Sequence, residues 1–201
     1  SLLLHASAII SNNFVMPIFA PKGTGKSTLT AKLSEHFEYF SDDTVYATLN
    51  DNKIIAYYGS QIIKLYKDSS DALCLKRFSD KTNILGKCYY YPSRVVKSAS
   101  KAYNLHSLFF LTRSEDTYKL KIDKINSRNI KSIYLHSNIC GIDALGYEYN
   151  KLIDGIPLFN KILNLNFYKI TIPSGFHNLQ SSCKQFSEFI NYIAGKTINF
   201  S

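Results

Sequence analysis

The stretch Ala20-Pro21-Lys22-Gly23-Thr24-Gly25-Lys26-Ser27 decides how the rest of this 201-residue chain is interpreted. It follows the apolar run Phe14 to Phe19 and precedes the segment Leu29 to Phe37, in which apolar residues recur at helical spacing. The pattern therefore predicts a strand, a glycine-rich turn and a helix in direct succession. That order is the structural context that a phosphate-binding loop requires.

The residue types in this loop suit the binding of a nucleotide's phosphates. Gly23 and Gly25 let the backbone turn tightly, so that successive N–H groups point inward at phosphate oxygens, and the helix adds its positive N-terminal end. Lys26 can reach the outer phosphates, and the Ser27 hydroxyl suits a magnesium ion. Ala20 stands where the pattern usually begins with glycine. The alternative is a glycine turn that only starts a helix, but the flanking strand and helix favour a nucleotide loop, whose remaining members are Lys22, Thr24 and Thr28.

An acidic pair follows the loop's helix at a distance that suits phosphoryl transfer. Asp42 and Asp43 come directly after a short predicted strand, Phe37 to Phe40. Adjacent side chains point in different directions, so one aspartate can reach a metal ion while the other faces the acceptor hydroxyl. The alternative is that Asp42 caps a turn and Asp43 is solvated. The intact loop before them favours catalytic roles for both.

The composition and the net charge limit the classes of protein to which this chain can belong. A hydrophobic content of 45% and a charged content of 19% are typical of a globular protein, and we interpret residues 1–201 as a single domain. No apolar run approaches the roughly 20 residues of a membrane span, so we expect no membrane association. The net charge of +9 favours anionic partners such as a nucleotide or an acidic peptide. No nucleic-acid-binding motif is recognisable, so a nucleic-acid partner is disfavoured.

The cysteines carry no metal-binding or disulfide pattern. They are widely spaced, and beside a nucleotide loop we interpret them as reduced, mostly buried thiols of a cytoplasmic protein. The four are Cys74, Cys88, Cys140 and Cys183.

The order of predicted elements indicates a mixed α/β fold. A strand from Leu2 to Ile10, a turn at Asn12-Asn13 and a returning strand from Phe14 to Phe19 predict a hairpin that carries the loop. Further strands alternate with turns through the middle of the chain. Helices are predicted from Gly25 to Phe37, Ser127 to Leu135, Asp143 to Ile153 and Leu158 to Leu163, and a last one opens at Asn178.

Two further kinds of residue are candidates for the reacting centre. A lone histidine such as His5, on an apolar strand, is by itself more often a hydrogen-bonded core residue than a functional one. A positive side chain could clamp charge in the transition state, and Arg94 is favoured because it follows Pro92 in a predicted loop. The other candidates for that clamp are Lys64, Lys87 and Arg113.

Three segments together resemble a known family. They are His5-Ala6-Ser7-Ala8-Ile9, Lys22-Gly23-Thr24-Gly25-Lys26-Ser27-Thr28-Leu29 and Ser41-Asp42-Asp43-Thr44-Val45. They resemble the catalytic domain of HPr kinase/phosphorylase and, more closely, the stand-alone HPr-kinase-like proteins encoded beside peptide-modification enzymes such as those of lasso-peptide clusters. The resemblance is specific over Leu2 to Tyr46 and weaker over Gly59 to Asp68.

The resemblance implies a fold, a cofactor set and residue roles. The fold would be the P-loop domain shared with phosphoenolpyruvate carboxykinases, a mixed sheet with the nucleotide loop hung from a β-hairpin. The cofactors would be ATP and Mg²⁺, with the phosphates held by Gly23, Gly25 and Lys26. Ser27 and Asp43 are the expected metal ligands, although the resemblance leaves open which of Asp42 and Asp43 is the base. His5 would lie close to the reacting phosphate, which reverses its interpretation as a core residue.

These features predict an ATP-dependent serine kinase that acts on a peptide or small protein, for example the precursor of a ribosomal natural product. The glycine-rich signature that serves reverse phosphorolysis in the HPr-specific enzymes is not recognisable in this sequence. The alternatives are a P-loop nucleotide hydrolase and a nucleotide-binding assembly factor without a phospho-acceptor. A homo-oligomer is among the partners implied, because the parent family assembles through this domain.

Overall fold

The computed structural model describes residues 1–73, 77–82, 86–96, 102–140 and 149–196, and within them a large mixed sheet is flanked by helices. This arrangement confirms the predicted mixed α/β class. The strands are β1 (Leu2–Leu4), β2 (Ser7–Ser11), β3 (Phe14–Phe19), β4 (Glu38–Asn50), β5 (Lys53–Ser60), β6 (Ile63–Leu65), β7 (Arg77–Thr82), β8 (Cys88–Tyr90), β9 (Tyr103–Leu105), β10 (Ser107–Ser114), β11 (Lys121–Ile125) and β12 (Asn166–Pro173). The helices are α1 (Lys26–Leu33), α2 (Lys67–Leu73), α3 (Arg128–His136), α4 (Tyr149–Ile162) and α5 (Leu179–Lys196). Cys74 and the predicted helix start at Asp143 lie outside the described residues.

The sheet brings several connecting segments to one edge. Its strand order is β1-β4-β5-β9-β3-β10-β12-β11, and β2 pairs with both β3 and β4. Strand β10 runs parallel to its two neighbours, β3 and β12. Because parallel strands end at the same edge of a sheet, the segments that follow β3, β10 and β12 lie close together, at the place where α/β sheets bind ligands.

The predicted hairpin is present, but its first strand is interrupted. β2 and β3 pair antiparallel across Asn12 and Asn13, whose φ angles of 50° and 65° suit a tight turn of the hairpin type. The predicted strand from Leu2 to Ile10 is instead two strands, since β1 pairs with β4. Between them, the His5 N–H donates to the Asn138 carbonyl at 2.7 Å and leaves the ladder. The interruption frees His5 from the sheet.

Two apolar layers hold the parallel strands in place, one on each face of the sheet. Along β10, Phe109 points to the layer under α1 and α5 and packs edge-to-face on Phe186 with ring centroids 4.9 Å apart. The next residue, Phe110, points to the opposite layer and stacks on Phe19 at 4.9 Å. This alternation is typical of a strand buried on both faces. It fixes the end of β3, from which the loop begins.

Three predicted boundaries are wrong. The predicted helix from Gly25 to Phe37 ends at Leu33, where the Ser34 hydroxyl donates to the Ala31 carbonyl at 2.6 Å. The two helices predicted around 143–163 are one helix where described, because Pro157 inside α4 removes only one backbone hydrogen bond. The strand predicted over Phe37 to Phe40 continues through the aspartate pair as the 13-residue strand β4. Among the described residues, no helix is both long enough and apolar enough to cross a membrane.

Candidate nucleotide site

The loop between β3 and α1 has the backbone that its glycines predict. Gly23 and Gly25 adopt φ angles of 85° and 96°, which residues with a side chain rarely adopt. The Thr24 N–H donates to the Pro21 carbonyl at 3.2 Å and closes the turn. A Cβ atom at Gly25 would lie 2.5 Å from Nη2 of Arg113. The backbone conformation therefore requires glycine at position 25, and a side chain there would also displace the Arg113 guanidinium.

The N-terminus of α1 is available to an anion. Gly25 occupies the capping position, and no side chain caps the helix. The N–H groups of Lys26, Ser27 and Thr28 have no acceptor within the helix because no helical turn precedes them. They carry the positive end of the helix dipole into the loop. This uncapped end, under a glycine turn, fits a phosphate group without further rearrangement.

Lys26 and His5 form the floor of the site. The Lys26 side chain is 9% exposed, and its ammonium donates to Nε2 of His5 at 3.3 Å. Burial lowers the pKa of Lys26, an effect that the carboxylates of Asp43 and Asp42 oppose. Desolvation and the Lys26 ammonium lower the pKa of His5, so its ring is neutral at neutral pH and accepts that hydrogen bond. The lysine thus faces the site with much of its charge unscreened by water.

Asp42 is buried and contacts the loop serine. It is 1% exposed, and its Oδ1 accepts hydrogen bonds from Ser27 Oγ and Ser7 Oγ, both at 3.0 Å. Its Oδ2 accepts the Lys64 N–H at 3.2 Å. Burial raises the pKa of Asp42, the Asp43 charge adds to that rise, and the three hydrogen bonds oppose it. A carboxylate beside a hydroxyl is a donor set that Mg²⁺ accepts.

Asp43 takes the opposite orientation and faces the open site. Its side chain is 41% exposed, with Oδ1 lying 3.9 Å from Nζ of Lys26 and Oδ2 lying 3.3 Å from Nζ of Lys64. The two aspartates diverge because β4 bulges between Asp42 and Val45, where Asp43 adopts a φ of 62°. Because of the bulge, Asp42 contacts the hydroxyl of the loop serine whereas Asp43 points into the cavity.

One cavity of about 590 Å³ is lined by His5, Lys26, Ser27 and Asp43, whereas the buried Asp42 does not line it. The cavity is of the size of a small-molecule site. Its lining residues come from the loop and from the elements on either side: His5, Ala20, Pro21, Lys22, Gly23, Gly25, Lys26, Ser27, Thr28, Asp43, Lys64, Leu65, Tyr66, Ser69, Lys87, Arg113 and Phe176. Of the predicted binding residues, Thr24 does not line the cavity, but its carbonyl accepts a hydrogen bond from Nε of Arg113 at 2.5 Å.

Arg94, the candidate favoured for clamping transition-state charge, is not among the positive side chains that line this cavity. Lys64, Lys87 and Arg113 line it, whereas Arg94 does not. Arg94 is exposed and donates to the His36 carbonyl at 3.4 Å, on another part of the surface. The place of Arg94 in a loop after Pro92 did not indicate which side of the sheet its side chain would reach. Arg113 could have been favoured because it ends the apolar strand Leu105 to Thr112, whose carboxyl end was predictable as a ligand edge.

A second cavity, of about 450 Å³, adjoins the first. The two share His5, Ala20, Pro21 and Lys22, so they meet at the beginning of the loop. The far wall of the second cavity belongs to the end of α3 and includes Tyr134, Ser137 and Asn138. Sequence reasoning did not identify this wall, since none of its residues belongs to a recognisable motif.

Within the described part of the chain, no group of three or more histidine, cysteine, aspartate or glutamate side chains could by itself hold a metal ion. A magnesium ion at Ser27 and Asp42 would therefore depend on phosphate oxygens and water for its other ligands, as it commonly does.

Comparison with known proteins assigns no family. No family model matches the chain, and no curated protein matches it. A search of solved structures finds a similarity to an entity described as the Hpr(Ser) kinase/phosphatase from Coxiella burnetii, at 14% sequence identity and a TM-score of 0.45, covering 96% of this chain and 99% of that one. At that identity and TM-score, the similarity adds nothing to what the residues themselves support.

Proposed function

We propose that this chain is an ATP-dependent kinase that transfers the γ-phosphoryl group to a serine hydroxyl of a peptide or small protein. The observation that carries the proposal is the divergent aspartate pair at the uncapped end of α1. Asp42 contacts the loop serine, and Asp43 faces the cavity beside Lys26. A phosphate-binding loop by itself only binds a nucleotide, whereas transfer of the phosphoryl group also needs a carboxylate near the acceptor hydroxyl.

The roles that we assign to Asp42 and Asp43 differ from those expected from the sequence. Ser27 and Asp42, rather than Ser27 and Asp43, would hold Mg²⁺, because Asp42 is the aspartate within hydrogen-bond distance of the Ser27 hydroxyl. The metal would supply neutralisation of phosphate charge. Asp43 is left free to act as the base, since its carboxylate lies in the open cavity.

The chain's own residues then perform the transfer. The loop N–H groups and Lys26 hold the phosphates, and Asp43 accepts the proton of the serine hydroxyl as that oxygen bonds to the γ-phosphorus and the bond to ADP breaks. Lys64, 3.3 Å from Asp43, keeps the carboxylate oriented and adds positive charge beside the transferring group. The neutral ring of His5 holds the Lys26 ammonium in place through the 3.3 Å contact. The second cavity gives an acceptor chain access to the same centre.

The test compares transfer with binding in two matched variants. In Asp43→Asn we expect transfer to fall by about 10²- to 10⁴-fold because the base is lost. We expect ATP affinity to be retained because the loop N–H groups and Lys26, which hold the phosphates, remain in place. Asp51→Asn is the control, since Asp51 has a similar left-handed φ of 44° in an exposed turn away from the cavity. Transfer is measured by mass spectrometry of candidate serine peptides incubated with enzyme and Mg·ATP, as one added phosphate.

Two outcomes would contradict the proposal. Normal transfer in Asp43→Asn would remove the base assignment. Steady release of inorganic phosphate by the wild type, with no peptide or protein labelled, would favour a nucleotide hydrolase instead.

A further inference from the structure

We propose that Phe176 and Arg113 form a nucleobase-binding subsite at the far side of the loop, where a planar base stacks on the Phe176 ring. This inference rests on the proposed function, because it concerns the part of the nucleotide that the phosphate loop does not touch. From the sequence, Arg113 is considered only as a candidate clamp for transition-state charge, and Phe176 is not identified.

The direction of the nucleotide follows from the sheet order. Lys26, Asp43 and Lys64 mark the end of the cavity where the terminal phosphate reacts, and Asp43 and Lys64 belong to β4 and β6. In the sheet, β2 and β4 lie on one side of β3, whereas β10 and β12 lie on the other. A triphosphate that starts at Lys26 and crosses the loop therefore leads its nucleoside toward the ends of β10 and β12.

Arg113 and Phe176 stand at those two strand ends. Arg113 is the penultimate residue of β10, and Phe176 follows the end of β12 by three residues. The strands are in parallel register up to the pair Ser114 and Pro173, so both side chains come from the same edge of the sheet at neighbouring strands. Both line the cavity that contains the phosphate loop.

The loop itself fixes Arg113. Its Nε donates to the Thr24 carbonyl at 2.5 Å, and its Nη2 lies 2.5 Å from the position that a Cβ of Gly25 would take. The guanidinium is therefore a planar, positively charged group held against the phosphate site. Guanidinium planes stack on aromatic rings, and they attract phosphate oxygens as well.

Phe176 is an exposed aromatic ring on a rigid turn. It is 46% exposed, although phenylalanine is usually buried. The turn that carries it is held by the Ser174 N–H, which donates to the Ser114 carbonyl at 3.1 Å, and by the Asn178 amide, which donates to the Ser174 carbonyl at 2.8 Å. Gly175 makes the turn with a φ of 92°. Because the backbone that carries the ring is held in place, little backbone freedom is lost when a base stacks on it, which favours binding.

Stacking on an aromatic face tolerates every base, because each base has a π-face. We therefore assign the subsite to the base of a nucleoside triphosphate without a preference between adenine and guanine. Its effect is confined to ligands that carry a base.

The experiment compares ATP with inorganic tripolyphosphate, which has the phosphates and no base, each with Mg²⁺. In Phe176→Ala we expect the dissociation constant for ATP to rise by about 5- to 150-fold, the range found for loss of one base–aromatic stack, and that for tripolyphosphate to stay unchanged. Tyr118→Ala is the control, since Tyr118 is 91% exposed and does not line the cavity. Titration calorimetry measures both ligands on the same protein.

A second variant reports the contact directly. The chain contains no tryptophan, so Phe176→Trp introduces a single fluorophore at the proposed stacking surface. We expect ATP and GTP to quench its emission and tripolyphosphate to leave it unchanged.

The failures of the two proposals are distinguishable. Equal weakening of ATP and tripolyphosphate in Phe176→Ala, or no weakening of either beside a wild type that binds both, overturns the subsite and leaves the kinase proposal standing. A wild type that binds neither ligand overturns the proposed function and the subsite together.

Discussion

At the residue scale, Asp42 combines a functional position with an unfavourable environment. It is a buried carboxylate whose three hydrogen bonds oppose, but do not cancel, the effects of burial and of the neighbouring Asp43 charge. The native state therefore retains a proton on this group at a pH where the unfolded chain has lost it. Charged groups in such positions are often kept for activity at the expense of stability.

The pH dependence of stability tests this description. The pKa of Asp42 is raised from its usual value of 3.8, so the native state binds more protons than the unfolded state just above that pH, and stability falls as the pH rises through that interval. We expect Asp42→Asn, measured without Mg²⁺ and nucleotide, to match the wild type near pH 3.5 and to melt at a higher temperature at pH 7. A variant that melts lower at pH 7 would indicate that the ionised group is stabilising. Asp51→Asn, in an exposed turn, controls for the amide itself.

Gly25 gives a sharper test at the same scale. Alanine there must adopt a φ near 96°, which strains the loop, and its Cβ, 2.5 Å from Arg113 Nη2, displaces the guanidinium. We expect Gly25→Ala to reduce the affinity for Mg·ATP at least tenfold, a loss of about 1.4 kcal/mol in binding free energy. Gly195→Ala is the matched control, because a Cβ at Gly195 meets nothing within 4 Å. Unchanged ATP affinity in Gly25→Ala would show that the loop does not contact phosphate.

At the element scale, the local motif was predictable and its surroundings were not. The residues Ala20 to Ser27 predicted the strand, turn and helix around them, because glycine and helix-start requirements are local. The bulge in β4 was not predictable, since it depends on pairing with β5. From the sequence, the two aspartates were expected to point in different directions, but which of them reaches the loop serine was not predictable. The end of the apolar strand Leu105 to Thr112 could have favoured Arg113 over Arg94, but its contact with the loop depends on which strands are neighbours in the sheet, and distant residues decide that order.

Helix α4 shows the same limitation and offers a stability test. Two helices, Asp143 to Ile153 and Leu158 to Leu163, are predicted from the sequence, yet α4 continues through Pro157 between them. Pro157 is exposed, so alanine there should restore a backbone hydrogen bond without disturbing the core. We expect Pro157→Ala to raise the free energy of unfolding by about 1–3 kcal/mol, measured by urea denaturation. A loss of stability would mean that the ring itself packs favourably in the native helix.

At the scale of the whole molecule, the candidate nucleotide site follows a strand that belongs to both apolar layers. The loop follows β3, whose Ile18 and Phe19 belong to opposite layers, so binding at the loop is coupled to the packing of the entire sheet. A ligand held there should therefore stabilise the fold as a unit.

Thermal unfolding with and without ligand measures that coupling. We expect Mg·ATP at a hundredfold excess over its dissociation constant to stabilise the native state by about 2.7 kcal/mol and to raise the melting temperature accordingly. Lys26→Ala should abolish the shift, because it removes the buried ammonium that faces the phosphates. Lys67→Ala, at an exposed position in α2, should retain it. A shift that survives in Lys26→Ala would place the ligand elsewhere.

The two cavities that meet at His5 have a consequence for the order of events in turnover. The two cavities share the beginning of the loop but have different far walls, so the proposed donor and acceptor would occupy separate space. Both would be bound together before either product departs. Double-reciprocal plots of initial velocity against one substrate, at fixed levels of the other, should then give intersecting lines. Parallel lines would mean that the phosphoryl group is first transferred to the enzyme as a covalent intermediate.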